Sequence, residues 1–310
     1  MSDFTPATIT AIDYGKAEVT AYRFNAKPLR VNSIPESAFT GRANTLFAVQ
    51  VDVQVLGRNF VPAYTEGDNS DVVATDSMKN FILKQALDFE GATLEGYLMF
   101  LGQRFLERYP EMEALNVLGE EQPFEAAHVG AEASNVLFHR SQGDRAVAEL
   151  ALERTDEGVR VVDHRCGRVG LQLVKVTGSS FANFVRDEHT TLPEMVDRPL
   201  FIYLDLFWRY ADAAHAVGED SHYVPAEQVR DVAATVFHEF NSKSIQHLVY
   251  EMGKRILARF PQVAEVSFKA QNRLWDKGYA SETDARVKVH TDPRPPYGHI
   301  GLTMTQGDDG

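Results

Sequence analysis

Apolar and polar side chains alternate most strictly between residues 47 and 55 of the chain. Every second position there is Phe or Val, and the residues between include Gln50, Asp52 and Gln54. A period of two residues predicts a β-strand with one buried face and one solvated face. Weaker forms of the same pattern predict further strands at residues 8–24, 114–117, 135–139, 146–152, 171–176, 200–210, 263–268, 285–290 and 299–303.

Two longer segments repeat their apolar positions every three to four residues, as amphipathic helices do. They cover residues 76–109 and 226–260, and the second is interrupted near Asn241. A proline follows each segment, and proline cannot continue a helix. Thr75 and Asp76 stand where helix-capping side chains are common, so we expect them to cap the first segment.

The second half of the chain repeats the order of predicted elements of the first half. Each half has strands, then a helical segment, then strands, which predicts an α+β fold of antiparallel sheets with helices on one face. We expect two tandem units, 1–155 and 156–310, joined by the charged turn at 153–158. Open sheet edges favour association with further copies. Four positions recur between the helical segments: Gly102, Arg104, Arg108 and Pro110 correspond to Gly253, Arg255, Arg259 and Pro261.

Composition narrows the possible partners. The 310 residues are 44% hydrophobic, and no run approaches the ~20 apolar residues of a membrane helix, so we expect no membrane partner. A net charge of −13 repels phosphate backbones and argues against nucleic acid. The single cysteine, Cys166, and the scattered histidines predict no disulfide and no metal site. Residues 1–6 lack a secretory pattern, which predicts a cytoplasmic location.

Five short motifs occur in an order that is typical of one enzyme family. They are residues 14–19, 65–80, 180–192, 197–198 and 244–246, of which Val-Ala-Thr-Asp-Ser-x-Lys-Asn at 73–80 and Arg-Asp-Glu-x-Thr-Thr-Leu at 186–192 are the most specific. In this combination the chain resembles the urate oxidase (uricase) family. The resemblance implies two tunnelling-fold units per chain, with a hollow barrel formed by oligomerisation of four chains. It also implies cofactor-free oxidation of urate by dioxygen and water to 5-hydroxyisourate and hydrogen peroxide.

Several residues match the positions at which that family binds its substrate. Phe181 matches an aromatic ring that stacks on the flat heterocycle. Arg198 matches a guanidinium that grips the pyrimidine edge in a bidentate, charge-assisted contact. Gln246 matches an amide that binds the opposite edge, and Ile245 matches an apolar residue with a backbone contact. Asp76 is expected among the substrate-binding residues as well.

The residues matched to the chemical steps are Lys16, Thr75 and Asn272. Lys16 and Thr75 match a pair that draws a proton from bound urate. Asn272 matches an asparagine that, with the threonine, holds dioxygen or water above the ring. The resemblance implies that Lys16 and Thr75 come from one subunit and the substrate-gripping residues from its neighbour. The implied partners are therefore a urate-like heterocycle, dioxygen and further copies of the chain in a homotetramer, with no cofactor.

The chain departs from the family pattern at Leu274. Two positions after the asparagine the family has a histidine, and leucine can neither accept nor donate a proton. One interpretation is a urate oxidase with an incomplete relay, in which His290, His299 or His189 takes over the proton transfer. The others are an oxidase or hydrolase of a related purine-like or pyrimidinedione heterocycle, and a non-catalytic purine-binding homologue.

Ordinary structural roles are alternatives for the single residues. Phe181 fits a core position, and Gln246 fits a solvated helix surface. Arg198 fits a surface ion pair with Asp197 or Glu194.

Overall fold

The chain contains two copies of one order of long elements, β-β-α-α-β-β, in a computed structural model that describes residues 8–141, 143–218 and 221–307. The elements of the first repeat are β1 (Asp13–Phe24), β2 (Leu29–Arg30), β3 (Gly41–Arg42), β4 (Leu46–Leu56), α1 (Val61–Thr65), α2 (Thr75–Asp88), α3 (Leu94–Arg108), β5 (Ala114–Glu121), β6 (Phe124–Val129), β7 (Glu132–Arg140) and β8 (Arg145–Thr155). Those of the second are β9 (Gly158–Phe181), β10 (Met195–Tyr210), α4 (Ala214–Val217), α5 (Ala226–Glu239), α6 (Ile245–Arg259), β11 (Val263–Leu274), β12 (Lys277–Ala280), β13 (Lys288–His290) and β14 (Arg294–Thr305).

The eight long strands form one antiparallel sheet in the order β1-β4-β5-β8-β9-β10-β11-β14. Each repeat supplies four adjacent strands, and the repeats meet where β8 pairs with β9 around the turn from Thr155 to Gly158. Helices α2 and α3 pack on the strands of the first repeat, and α5 and α6 on those of the second. The predicted α+β class with tandem units is confirmed. The division after residue 155 stays our proposal.

The strict alternation between residues 47 and 55 has the predicted structural result. In β4 the side chains of Val51, Val53 and Val55 are at most 1% exposed, beneath the helices. Asp52 and Gln54 lie on the opposite, more accessible face. The sheet therefore has one apolar face, which the helices cover, and one polar face.

The glycine shared by the two helical segments has the same packing role in each repeat. A Cβ on Gly102 of α3 would lie 2.0 Å from the Leu152 side chain of β8. A Cβ on Gly253 of α6 would lie 2.6 Å from the Met304 sulfur of β14. Glycine therefore lets each helix approach the last strand of its own repeat, which explains why this position recurs.

The first helical segment differs from its prediction at two points. It is two helices rather than one, because Phe89 turns to an extended ψ of 124° after α2. Thr93 then caps α3 by accepting a hydrogen bond from the Gly96 amide at 3.1 Å. The prediction that Thr75 and Asp76 cap the helix is wrong, since Ala74 occupies the cap position without a side-chain bond and Thr75 is the first helical residue.

Two predicted strands also have different bounds. The strand predicted at 285–290 is reduced to β13, because the Val287 amide bonds the Asp284 carbonyl at 2.9 Å and closes a turn. The strand predicted from residue 8 begins at Asp13. The break near Asn241 is confirmed, since α5 ends at Glu239 and α6 begins at Ile245.

Within the three described ranges, no helix has the length and apolar character needed to cross a membrane. The same ranges contain no group of three or more His, Cys, Asp or Glu side chains placed to hold a metal ion. Residues 1–6, on which the expected cytoplasmic location rests, lie outside the described part of the chain.

The connection between β2 and β3 reaches across to the helices of the second repeat. The Glu36 carboxylate accepts a hydrogen bond from Arg259 of α6 at 2.8 Å. The buried amide of Gln228 on α5 donates to the carbonyls of Asn32 and Phe39 at 2.7 and 3.0 Å. Polar contacts therefore join the repeats on the helical side, in addition to the strand pairing between β8 and β9.

A buried carboxyl group lies at the same junction. Glu95, in the first turn of α3, is 2% exposed and accepts a hydrogen bond from the Tyr223 hydroxyl at 3.1 Å. Burial raises the pKa of Glu95 to about 7, although the Tyr223 bond and the positive charge of Arg42 act in the opposite direction. The folded protein therefore keeps a proton that the unfolded chain loses near its ordinary pKa of 4.5.

We expect the stabilising contribution of the protonated Glu95 side chain to be complete below about pH 4.5 and to be lost as the pH rises through about 7. Glu95→Gln keeps an acceptor for Tyr223 but has no proton to lose. The urea midpoint of this variant, relative to that of the parent protein, should therefore rise across this pH range. Glu157→Gln, in the exposed β8–β9 turn, is the control. Identical pH profiles for Glu95→Gln and the parent protein would contradict the expectation.

Candidate active site

Lys16 lies on the edge strand β1, beside an irregularity in its pairing with β4. A Cβ on Gly15 would lie 1.8 Å from the Val53 carbonyl oxygen, so only glycine fits there. After Lys16 the register shifts, and Glu18 takes a left-handed φ of 58° while its amide donates to the Asp52 carboxylate at 2.6 Å. Such a bulge redirects the side chains next to it and is common beside functional sites.

The loop before α2 is bonded to the same strand. The Tyr14 hydroxyl accepts a hydrogen bond from the Val73 amide at 3.2 Å, and the Tyr64 hydroxyl donates to the Asp13 carbonyl at 2.7 Å. Tyr14 also packs edge-on against Phe60, with ring centres 5.0 Å apart, and burial raises the pKa of Tyr14. These contacts place the start of α2 beside β1.

Thr75 and Asp76 are the first two residues of α2 at this place. A hydrogen bond from Lys79 at 2.7 Å is the main cause that lowers the pKa of Asp76, and the positive charge of Lys16 adds to the effect. The Thr75 side chain is exposed. The structure thus brings Lys16, Thr75 and Asp76 together on the first repeat, and their chemical roles stay predictions.

On the second repeat, Arg198 and Phe181 lie at the same end of two neighbouring strands. Arg198 of β10 pairs with Ser179 of β9, two residues before Phe181. The guanidinium carbon of Arg198 is 5.7 Å from the centre of the Phe181 ring, and that ring stacks on Phe184 at 4.9 Å. We call the Arg198 and Phe181 pair the cation–phenyl corner.

Within the described part of the chain, the guanidinium of Arg198 has no anionic partner. Its Nε atom is buried without a hydrogen-bond acceptor in the described residues, and burial lowers the pKa of Arg198. The expected acidic neighbours bond elsewhere: Asp197 accepts from Thr177 and Gly178, and Glu194 accepts from a backbone amide. A half-buried cation of this kind is costly unless a ligand completes its contacts.

The loop before α6 is held against the end of β9. The Ser242 carbonyl accepts a hydrogen bond from the Ser180 amide at 2.8 Å. The Ser242 hydroxyl donates to the Ser179 hydroxyl at 3.3 Å, and both side chains are at most 1% exposed. This serine contact joins the strand that carries Phe181 to the helix that carries Gln246.

The two predicted residues of α6 occupy its first turn. Ser244 caps the helix by accepting a backbone amide at 3.1 Å. Ile245 is then the first helical residue and is buried, and Gln246 follows with an exposed side chain. Gln246 therefore lies at the surface in the first turn of α6, and its role in binding stays a prediction.

Asn272 and Leu274 lie near the end of β11, on the face of the sheet that the helices cover. Side chains alternate along this strand, and Phe268 and Ala270 on that face are buried. Arg198 shares the face, because it alternates in step with the buried even-numbered residues of β10. Asn272 therefore stands on the same side of the sheet as the cation–phenyl corner.

The position at which the family histidine is expected is filled by Leu274, which is 42% exposed. His290 packs on the ring of Trp275, the next residue, with ring centres 4.5 Å apart. His299 alternates with the residues that face away from the helices, and the His189 side chain is 84% exposed. His290 therefore contacts the residue that follows Leu274, and no contact within the described residues joins any of the three histidines to Leu274 itself.

The two groups of predicted residues lie far apart within one chain. Lys16 is on β1 and Arg198 is on β10, and the sheet order puts five strand-to-strand steps between them. At about 4.8 Å for each step, this separation is about 24 Å. The groups on the two repeats therefore do not line one small-molecule site in a single copy.

Sequence reasoning missed the residues that hold this geometry. Tyr14 and Ser242 position the loops on the two repeats, and Asp197 bonds the backbone beside Arg198. Tyr14 and Asp197 stand in the motifs at 14–19 and 197–198, but their positions indicated no role in holding a loop or a strand, and the sequence did not single out Ser242. The partner of each side chain depends on strand register, which the linear pattern does not contain.

The chain is similar in sequence to known proteins over nearly its whole length. The sequence profile of the Uricase family matches residues 13–149 and 164–301. The uricase of Haloferax volcanii is 47% identical over 305 residues, and the alignment covers 96% of this chain and 99% of that protein. The uric acid degradation bifunctional protein of Bacillus subtilis is 46% identical over 303 residues, but this chain spans only 61% of its length.

Solved structures agree with these sequence matches. A urate oxidase from Bacillus sp. TB-90 has a TM-score of 0.91 at 46% identity, covering 96% of this chain and 100% of that one. A uricase from Bacillus fastidious has a TM-score of 0.91 at 42% identity, covering 98% and 95%. The profile spans both repeats, and the relatives share their sequence and their fold with this chain. The chain therefore belongs to the urate oxidase (uricase) family.

Proposed function

We propose that the chain oxidises urate with dioxygen and water to 5-hydroxyisourate and hydrogen peroxide, without a cofactor. The observation that carries this proposal is the guanidinium of Arg198, which has a buried Nε without an acceptor in the described residues and lies close to Phe181. Urate is a flat anion that fits a cation and an aromatic face. Two relatives aligned over 99% of their own length are named uricases, which favours urate over related heterocycles.

The cation–phenyl corner and Gln246 bind the substrate in this proposal. Arg198 grips the pyrimidine edge with two parallel hydrogen bonds, and the ligand charge compensates the burial of the guanidinium. Phe181 stacks on the ring, which is worth about 0.5–1.5 kcal/mol beyond burial. Gln246 binds the opposite edge, and Ile245 and Asp76 complete the contacts.

Lys16 and Thr75 draw a proton from the bound urate. The loss of this proton increases the electron density of the ring, so two electrons pass to dioxygen, which takes up the relayed proton and a second proton from solvent and becomes hydrogen peroxide. Asn272, with Thr75, holds first dioxygen and then water above the ring. Water adds to the oxidised ring and gives 5-hydroxyisourate, so atoms and electrons balance. Leu274 takes no part in proton transfer.

A second copy of the chain supplies the missing half of this site. The edge strands β1 and β14 each have an open side in the described chain, and open antiparallel edges favour pairing with another chain. If β1 of one copy pairs with β14 of another, Lys16 lies three strand steps from the partner's Arg198, about 14 Å instead of 24 Å. Two such contacts around a two-fold axis close a barrel, and two barrels form the homotetramer.

Purified protein should consume urate and release hydrogen peroxide. The test follows the loss of the ultraviolet absorption of urate together with oxygen uptake and peroxide release, in buffer treated with a metal chelator. One peroxide is expected for each urate and each dioxygen consumed. Binding of urate without turnover would contradict the proposed oxidase activity.

Complementation tests whether the site is shared between copies. Lys16→Ala and Arg198→Ala should each lower activity about 10²-fold or more, because each removes a positioned group. A mixed dimer has one site with both changes and one intact site, so co-expression should restore about a quarter of the parent activity.

Co-expression of Lys16→Ala with Thr75→Ala is the matched control. These two residues come from the same side of the proposed site, so every mixed site keeps one defect and no activity should return. Restoration in neither mixture would indicate that each site is built within one chain.

Arg198 should be needed for binding but not for folding. Removing a poorly partnered buried cation relieves a desolvation cost, so Arg198→Met should change the free energy of unfolding by less than about 1 kcal/mol. Arg168→Met is the comparison, because the Arg168 side chain is 8% exposed and is bonded to the Asp144 carboxylate. Removal of the Arg168 guanidinium should lower the free energy of unfolding by about 3 kcal/mol, because the partly buried Asp144 carboxylate loses its Arg168 partner. Chemical unfolding measures both, and similar losses would contradict the assignment of Arg198 to ligand binding.

A further inference from the structure

The carboxylate of Asp197 is bonded to the strand that neighbours it in the site. It accepts hydrogen bonds from the Gly178 amide at 2.7 Å and from the Thr177 hydroxyl at 2.8 Å. The bond from Gly178 is the main cause that lowers the pKa of Asp197. Asp197 is therefore an anion whose partners are in β9, although it directly precedes Arg198.

The bonded segment of β9 is a bulge. Lys175 pairs with Leu200 and Ser179 pairs with Arg198, so three residues of β9 lie between these pairs where β10 has one. Gly178 takes a left-handed φ of 81° within this bulge, a conformation that glycine adopts without strain. A bulge leaves backbone groups outside the regular ladder, and the carboxylate of Asp197 satisfies one of them.

Hydrogen bonds continue from the bulge to the loop before α6, the helix that carries Gln246. Ser179, the residue after Gly178, accepts a hydrogen bond from the Ser242 hydroxyl at 3.3 Å. The backbone of Ser242 is joined to Ser180 as well, and α6 begins three residues later. The position of Gln246 relative to Arg198 therefore depends on the same short segment of β9.

We propose that Asp197 is a positioning residue for the site. By holding the bulge at Gly178 it sets Arg198 against Phe181 and, through the serine contact, against Gln246. The part of this inference that concerns turnover rests on the proposed function. The positioning itself is a property of the fold and has a readout of its own.

Charge and positioning predict opposite effects of removing Asp197. A negative charge beside Arg198 repels an anionic ligand, so an effect of charge alone would make urate bind more tightly to Asp197→Ala. If the carboxylate positions the bulge, Asp197→Ala binds urate more weakly. Asp197→Asn removes the charge but keeps an oxygen that accepts the Gly178 amide, so it should bind at least as well as the parent protein.

The same strand pair contains a matched control. Asp205 of β10 accepts a hydrogen bond from the Gly170 amide of β9 at 2.8 Å, and Gly170 has a φ of 78°. The register of β9 and β10 shifts here as well, between Leu204 and Leu206. As at Asp197, an aspartate of β10 accepts the amide of a glycine in β9. Asp205, however, lies toward the middle of the strands, away from Phe181 and Gln246.

The first measurement is the steady-state oxidation of urate by Asp197→Ala, Asp197→Asn and Asp205→Ala. We expect KM of Asp197→Ala to rise about 10-fold to 100-fold with a smaller change in kcat, because Arg198 and Gln246 are displaced by a fraction of an ångström to an ångström. Asp197→Asn and Asp205→Ala should keep the parent KM. An unchanged or lower KM in Asp197→Ala, or an equal rise in Asp205→Ala, overturns the inference.

Hydrogen exchange separates this inference from the proposed function. In Asp197→Ala the amides of residues 176–182 and 240–246 should exchange faster than in the parent protein, and in Asp205→Ala only those around residue 170 should do so. This comparison needs no substrate, so it decides the positioning even if the parent protein does not oxidise urate. Unchanged exchange at 240–246 in Asp197→Ala overturns the inference that Asp197 positions Gln246 through the serine contact.

Discussion

Strand spacing is the constraint on which the rest of this protein depends. Antiparallel strands lie about 4.8 Å apart, so the five steps from β1 to β10 hold these two strands about 24 Å from one another. Duplication of a four-stranded unit therefore puts the two proposed half-sites at separate places on one sheet. The same duplication leaves two open edges, and their pairing with another copy is the simplest way to bring unlike half-sites together.

Both half-sites depart from regular strand geometry in the same manner. Beside Lys16 the strand bulges, and an aspartate of the paired strand, Asp52, accepts the displaced amide of Glu18. Beside Arg198 the neighbouring strand bulges, and Asp197 accepts the amide of Gly178. In each case a carboxylate stabilises an irregular backbone that a plain ladder would not support. In our proposal the irregularity directs a charged side chain toward the site.

The junction of the two repeats contains both the contacts that hold the repeats together and a buried carboxyl group. Paired strands β8 and β9 make the sheet continuous, and the β2–β3 connection bonds the helices of the second repeat through Glu36 and Gln228. Glu95 is buried at this junction with Tyr223 as its hydrogen-bond donor. An acidic group in such a place favours its neutral form, so we expect the stability of the junction to depend on pH although it lies outside the proposed site.

Much of the fold could be predicted from the sequence, because period-two and helical patterns are local and report which face of each element is buried. Alternation between residues 47 and 55 predicted β4, and the recurrence of Gly102 as Gly253 indicated the duplication. Boundaries were less accurate. The extended backbone at Phe89, which divides the first helical segment, and the turn at Asp284 depend on specific bonds rather than on periodicity.

For the site, the sequence by itself determined the chemical types, since a lysine, a threonine, an arginine, a phenyl ring and two amides are present whatever the fold. Only the tertiary structure decided that they form two groups about 24 Å apart along the sheet. It also decided that Arg198 has no carboxylate partner in the described residues and that Asp197 bonds Gly178 instead. The physical reason is that strand order and register set which distant residues meet, and neither is written in the local alternation of side chains.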